Sequence, residues 1–129
     1  MGVYQWRDKK KPSGGKRNWP YKVKRKHAFG RYFVPPTAAG SDVKVAVRVR
    51  GGNVKLRVRK AATVIVSDPE TGKAQKARIL RVIETPANRE YARRNIIVKG
   101  AIIETTAGKA VVTSRPGQDG IINAVLLKE

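Results

Sequence analysis

The sequence predicts an all-β fold: a small barrel of about six to eight short, mostly antiparallel strands, preceded by a long basic N-terminal extension. Three observations predict it. Apolar residues recur with period two from Val43 onward, turn chemistry punctuates the chain at short intervals, and the composition changes near Gly40. Residues 1–40 hold eleven of the 29 Lys and Arg residues, seven of the eight aromatics and a single acid, Asp8. They contain three Val, Ile or Leu residues, against 26 in the other 89. A segment so poor in aliphatics lacks the apolar surface to fold alone. The chain is therefore read as residues 1–41, a basic, aromatic-rich extension and linker, and residues 42–129, a barrel domain.

The elements follow in order. Pro12, Ser13-Gly14-Gly15 and Pro20 break any helix in the extension early. Residues 21–29 have room for one or two basic helical turns. Residues 34–40, with Pro35-Pro36, read as an extended linker. Val43, Val45, Val47 and Val49 then alternate with Lys44, Ala46, Arg48 and Arg50. Gly51-Gly52-Asn53 is hairpin chemistry, and Val54, Leu56 and Val58 alternate with Lys55, Arg57 and Arg59. Paired, these strands are expected to give one aliphatic face and one basic face. Residues 63–67 form the next strand, closed by a turn over 68–72. Residues 76–84 follow, with alternation that slips at Ile79-Leu80 and implies a bulge. Thr85-Pro86 reads as an N-cap and first helical position, so 86–94 is a short helix. Residues 96–99, 101–106 and 109–115 read as strands, 116–120 as a loop and 121–127 as the last strand. Aliphatic residues fill the core without help from rings.

Composition also narrows function. A net charge of +20 on 129 residues calls for a polyanionic partner, of which nucleic acid is the commonest. There is no Cys and one His, so no disulfide, thiolate site or His cluster can form, and neither cofactor nor metal is expected. No apolar run approaches the ~18 residues of a membrane span. The N-terminus lacks the apolar stretch of a secretory signal, and the extension lacks a membrane-binding amphipathic face. The cytoplasm is the expected compartment.

Charge and rings coincide in the extension. Arg7, Lys9-Lys10-Lys11, Lys16-Arg17, Lys22, Lys24-Arg25-Lys26, His27 and Arg31 are candidate RNA contacts, with Trp19 and Tyr21 between clusters as stacking platforms. Tyr32 and Phe33 are instead expected to pack on the barrel, anchoring the root of the extension. The hairpin adds Arg48, Arg50, Lys55, Arg57 and Arg59, beside Lys44. A solvated face usually mixes signs, and this one has no acid. Arg93, Arg94 and Arg115 are further candidates, although arginines at a helix C-terminus also serve the helix dipole. Enzymatic signals are poor. Glu84, Glu104 and Asp119 are scattered, neither Ser67 nor Ser114 sits in a nucleophile elbow, and the Gly-Lys pairs at 72 and 108 lack the rest of a phosphate-binding loop. A chromatin-type DNA-compacting protein and an RNA-processing enzyme stand as alternatives to a structural RNA binder.

The sequence resembles, along its whole length, the eighth small-subunit ribosomal protein of archaea and eukaryotes (the S-eight-e family). The resemblance rests on Lys11-Pro12-Ser13-Gly14-Gly15-Lys16-Arg17, Lys24-Arg25-Lys26, Gly30-Arg31 and Val47-Arg48-Val49-Arg50-Gly51-Gly52-Asn53 with Lys55 and Arg57. It continues through Pro86-Ala87-Asn88, Arg93-Arg94-Asn95-Ile96-Ile97, Lys99-Gly100-Ala101-Ile102-Ile103-Glu104-Thr105 and Arg115-Pro116-Gly117-Gln118-Asp119-Gly120. The compact length is similar to archaeal members. Tyr32-Phe33-Val34-Pro35-Pro36 and Ser41-Asp42 depart from the pattern. The resemblance implies a structural, non-enzymatic constituent of the small ribosomal subunit. Its implied partners are ribosomal RNA and neighbouring ribosomal proteins, with no small-molecule substrate, no membrane and no homo-oligomer.

Overall fold

The computed structural model describes residues 4–18 and 25–127. Trp19, Tyr21, Lys22 and Lys24 lie outside the described residues. The chain separates into two compact units, Met1–Phe33 and Val34–Glu129.

The second unit carries eight strands. β1 (Thr37–Ala38), β2 (Val43–Arg48) and β3 (Val54–Ala61) form a three-stranded sheet in the order β1-β3-β2. β4 (Thr63–Ser67), β5 (Ala74–Glu84), β6 (Ile102–Thr105), β7 (Gly108–Val112) and β8 (Asn123–Leu126) form a closed barrel in that order. Barrel neighbours run antiparallel except β8 and β4, which close the ring in parallel through Ile65↔Asn123, Val66↔Ala124 and Ser67↔Val125. The all-β prediction holds, with a finer division: five strands make the barrel and three stand in a separate sheet.

Period-two alternation explains the core. Val64 and Val66 point inward while Ile65 between them is exposed. The opposing pair Val64↔Ala77 lies inside and Ile65↔Lys76 outside. Ile97, Ile103, Val112 and Ile122 complete the aliphatic filling, with Ala77, Ala101, Ala110 and Ala124 between them. A five-stranded barrel has a narrower lumen than the eight-stranded kind that side chains just fill, so small residues are needed where strands converge. The core is aliphatic, as expected, and its buried members include no ring. The bulge expected at Ile79-Leu80 is present: pairing passes from Ile79↔Thr105 to Arg81↔Glu104, leaving Leu80 unopposed.

Several elements differ from expectation. Thr85 is buried and does not cap; its carbonyl instead accepts the amide of Asn88 at 3.1 Å. The helix α1 (Arg89–Arg93) starts later, with the Asn88 side chain accepting the Glu90 amide at 3.0 Å. Asparagine is the stronger cap, and it takes the role three residues on. Residues 96–99 form no strand. Asn95 adopts a left-handed conformation (φ 51°) that turns the chain, after which Ile96 makes one bridge to Thr37 and the Ile97 amide donates to the Pro36 carbonyl at 2.8 Å. Residues 34–40, expected as linker, therefore contribute β1. The Ala38 and Ala39 amides donate to the carbonyls of Asn95 (2.9 Å) and Ala61 (2.8 Å). Within the loop over 116–120, Pro116–Asp119 forms a short helix, α2.

Two contacts fasten the three-stranded sheet. Asp42, just before β2, accepts hydrogen bonds from the Ala62 amide (2.6 Å), the Thr63 amide (3.1 Å) and the Thr63 hydroxyl (2.5 Å). Burial pushes its carboxyl up, but these bonds and the nearby Lys76 charge outweigh that and hold it below the ordinary value of 3.8. At the other end, Gly120 is left-handed (φ 67°), and a Cβ there would lie 2.7 Å from Leu56 Cβ and 3.3 Å from Leu56 O.

Both contacts predict measurable costs. Gly120→Ala should destabilise by about 2 kcal/mol or more, because it adds left-handed strain and a clash with β3. Gly117→Ala, in α2 with open space around it, should change stability by less than ~0.5 kcal/mol. Denaturant midpoints of the two variants check this. Asp42→Ala should cost about 1–2 kcal/mol at neutral pH. Because the folded carboxyl titrates below its unfolded value, that contribution is present above about pH 4 and disappears as pH falls through the depressed pKa. Wild type and variant should therefore converge in stability at low pH.

Candidate nucleic-acid interface

In the first unit, Lys11-Pro12-Ser13-Gly14-Gly15 folds back on itself. The Lys11 amide donates to Gly15 O (2.8 Å), Gly14 N to Lys11 O (2.9 Å) and Arg17 N to Lys9 O (2.9 Å). Lys10 and Lys16 form an antiparallel bridge, and Arg17 Nε donates to Lys10 O at 3.2 Å. Two basic clusters separated in sequence thus meet on one small hairpin. Lys9, Lys10, Lys11 and Lys16 are exposed on it, and Arg17 is half-buried. Arg7 is exposed and donates to Asn18 O at 2.9 Å.

A second piece of order comes from rings. The Gln5 amide donates to Ala28 O at 2.7 Å, and Tyr4 bridges Phe29. Tyr4 and Phe29 stack edge-on at 5.7 Å, and Trp6 and His27 do so at 5.1 Å. Of the nine-residue stretch expected to hold one or two helical turns, the described part has one tight turn, Lys26–Ala28. This pairing holds the exposed Arg25, Lys26 and His27 in place. The sequence singled out Trp19 and Tyr21 as base-stacking groups and gave the other rings before Gly30 no such role. Tyr4, Trp6 and Phe29 instead shape the segment. Arg31 is exposed, and so are Tyr32 (64%) and Phe33 (58%).

The hairpin of the second unit departs most from expectation. Arg50–Gly52 makes a tight turn, with Gly51 and Gly52 at φ 74° and 76°, and the Val49 amide donates to Asn53 O at 2.7 Å. This three-residue loop pairs Lys44↔Val58, Val45↔Arg57, Ala46↔Leu56, Val47↔Lys55 and Arg48↔Val54. Directly opposed residues share a face. So Lys44 and Arg48 lie with Val54, Leu56 and Val58, while Lys55 and Arg57 lie with Val45 and Val47. The single basic face is corrected to two mixed ones. A two-residue loop would have put valine opposite valine, but the loop holds one residue more, and a one-residue shift moves a strand's side chains to the other face. Arg48, Arg50, Lys55 and Arg59 are exposed, whereas Arg57 is half-buried.

The remaining candidates have structural duties as well. Arg93 pairs with Glu90 at 3.0 Å along α1, and Arg94 caps its C-terminus. Arg115 is exposed and heads α2, its amide donating to Asp119 Oδ2 at 2.8 Å. Two of the three acids weighed as catalytic are likewise used in the fold: Glu104 holds Arg81 at 2.6 Å, and Asp119 accepts the Arg115 amide at the head of α2. Among the described residues, no group of three or more His, Asp or Glu side chains could hold a metal ion. No helix among them is long and apolar enough to cross a membrane.

The strand register also collects lysines that the sequence did not mark as a group. Lys44 of β2, Lys60 of β3 and Lys76 of β5 all line a groove of about 260 Å³ beside Asp42. They are 16 and 32 residues from Lys44 along the chain. Only the pairings of β2 with β3 and of β4 with β5 bring them together.

Comparison with known proteins agrees with the sequence motifs. The sequence model of the family described as Ribosomal protein S8e matches residues 4–127. The chain is 62% identical over 129 residues to the small ribosomal subunit protein eS8 of Hyperthermus butylicus, covering 100% of this chain and 95% of that one. It is 64% identical to the protein of that name from Aeropyrum pernix, covering 100% and 96%. For Ignicoccus hospitalis the identity is 57%, covering 99% and 98%.

Proposed function

The chain belongs to the ribosomal protein S8e family, and from that premise we propose that it is a structural constituent of the small ribosomal subunit. In this reading both units hold small-subunit ribosomal RNA and neighbouring ribosomal proteins pack beside them. The observation that carries it is the correspondence, over nearly the whole chain, to relatives named as small-subunit proteins. The charge distribution supports it. Nine acids cannot balance 29 bases, and several of those acids are committed to turns and caps. The excess charge suits a phosphate backbone, whose neutralisation releases counterions and drives association.

The two units divide the work. The second unit, with its closed barrel and three-stranded sheet, presents basic strands already paired, without needing to order on contact. The N-terminal unit has short pairings and few buried residues, so binding RNA fixes much of its backbone. That costs roughly 1–2 kcal/mol per residue ordered, offset by many phosphate contacts formed together. The role is structural, so no side chain has to perform chemistry.

The full-length chain should bind small-subunit ribosomal RNA with a steep salt dependence. Replacing Lys9, Lys10, Lys11 and Lys16 together by Gln should weaken binding and reduce the slope of log K against log salt by roughly three, at ~0.7–0.9 per lost phosphate contact. Fluorescence titration across salt concentrations measures both. An unchanged slope would remove the first hairpin from the interface. In cells, a tagged chain should sediment with the small subunit, and migration with free protein would overturn the reading.

A further inference from the structure

The groove beside Asp42 is built differently from the rest of the basic surface. Its lining includes buried Val58 and two isoleucines left open to water, Ile65 (41% exposed) and Ile121 (46%). Around them stand the exposed ammonium groups of Lys44, Lys60 and Lys76. We propose that this groove receives one unstacked nucleotide of the bound RNA. The base would lie on the aliphatic floor and the flanking phosphates on the lysine rim. This deepens the RNA-binding role proposed above and rests on it.

Four features lead there. At about 260 Å³, the groove falls below the ~300–1,000 Å³ of clefts for drug-sized ligands, which suits one base with its sugar. Phosphate contact alone needs lysines but no apolar floor, whereas unstacked bases are held between aromatic or apolar side chains. The carboxylate of Asp42, fixed in the wall by Ala62 and Thr63, would repel a phosphate placed beside it. Lys76 is partly offset by that carboxylate, which leaves chiefly Lys44 and Lys60 for phosphates and the floor for the base. Lastly, the groove is lined from β2, β3, β4 and β5 and from Gly120 to Ile122 ahead of β8; the strands are held by their pairings and the Ile122 carbonyl by the Ile65 amide, so the groove exists before the ligand arrives. An acidic protein segment would satisfy the lysines, but it offers nothing flat to cover the isoleucines.

The test uses the full-length chain bound to small-subunit ribosomal RNA carrying 4-thiouridine. Irradiation should crosslink RNA to peptides that contain Ile65 or Ile121. Replacing both isoleucines by Ala, tolerable because both are half exposed, should weaken binding roughly 5- to 10-fold and leave the salt slope unchanged. Replacing Lys44, Lys60 and Lys76 by Gln should weaken binding and lower the slope by about two. Crosslinks confined to residues 1–33, or binding indifferent to the isoleucine change, would overturn the nucleotide site while leaving the ribosomal reading intact. Failure of the unaltered chain to bind the RNA would overturn both.

Discussion

The parallel pairing of β4 with β8 is the contact on which the second unit depends. It joins residues nearly sixty positions apart, and everything from β5 through α2 is the crossover that a parallel pair requires. Its hydrogen bonds include the Ile65 amide on the Ile122 carbonyl at 2.9 Å. Without it the five strands would be an open sheet with two exposed edges, a template for unwanted pairing. With it the edges vanish, and Val64, Val66, Ile103, Val112 and Ala124 share one apolar interior. The same closure brings the loop ahead of β8 against β3, where Gly120 lies on Leu56. The placement of the β2–β3 hairpin, and of the groove beside it, follows from how the ring closes.

Charge is the opposing constraint. A chain of net charge +20 works against its own compaction, and its few acids sit where they do most for the fold. Asp42 gathers two amides and a hydroxyl at the β3–β4 junction. Asp68 accepts the Glu70 amide and the Thr71 hydroxyl in the turn before β5, and Asp119 accepts the Arg115 amide at the head of α2. Glu90 and Glu104 each steady one arginine. Placed in this way, the acids stabilise turns and crossings and leave most of the basic surface available to a polyanion. Their contribution is local and short-ranged, so screening by salt affects it less than it affects the long-range repulsion.

How far the fold was legible depends on whether its cause was local. β4 could be read directly, because Thr63 to Ser67 is a short run rich in β-branched residues that the Asp68-Pro69 turn ends. The slip at Ile79-Leu80 announced its bulge for the same reason. The family resemblance was equally legible, since its motifs are contiguous. Features set by partners distant in sequence were not. Ile96 and Ile97 look like strand residues, yet their place is fixed by Pro36 and Thr37, some sixty residues earlier. Thr85-Pro86 carries a cap signal that burial overrides. The candidate interface divides in the same way. Its basic residues are evident from composition, but which of them stand together is decided by turns and register. The Lys9–Lys16 hairpin needed the turn at Pro12–Gly15, and the Lys44, Lys60 and Lys76 group needed two separate strand pairings.

The register of the β2–β3 hairpin shows why composition alone misleads here. Matching valine to valine would bury apolar against apolar, but it would also set Arg48 opposite Lys55 and Lys44 opposite Arg59. Like charges directly opposed across strands destabilise a sheet. The observed three-residue turn avoids this. Every paired Lys or Arg of the ladder faces an apolar partner: Lys44 faces Val58, Arg48 faces Val54, Lys55 faces Val47, Arg57 faces Val45 and Lys60 faces Val43, with Arg59 at the register shift between the last two pairs of β3. Long basic side chains can then lay their methylene stems on the valines while keeping the charge in water. Exposed apolar area is partly covered, and no face becomes the flat hydrophobic strip that invites aggregation. The outcome for recognition is a ribbon that is basic on both sides rather than one. One of those sides is also the packed one, with Leu56 against Gly120 and Val58 buried.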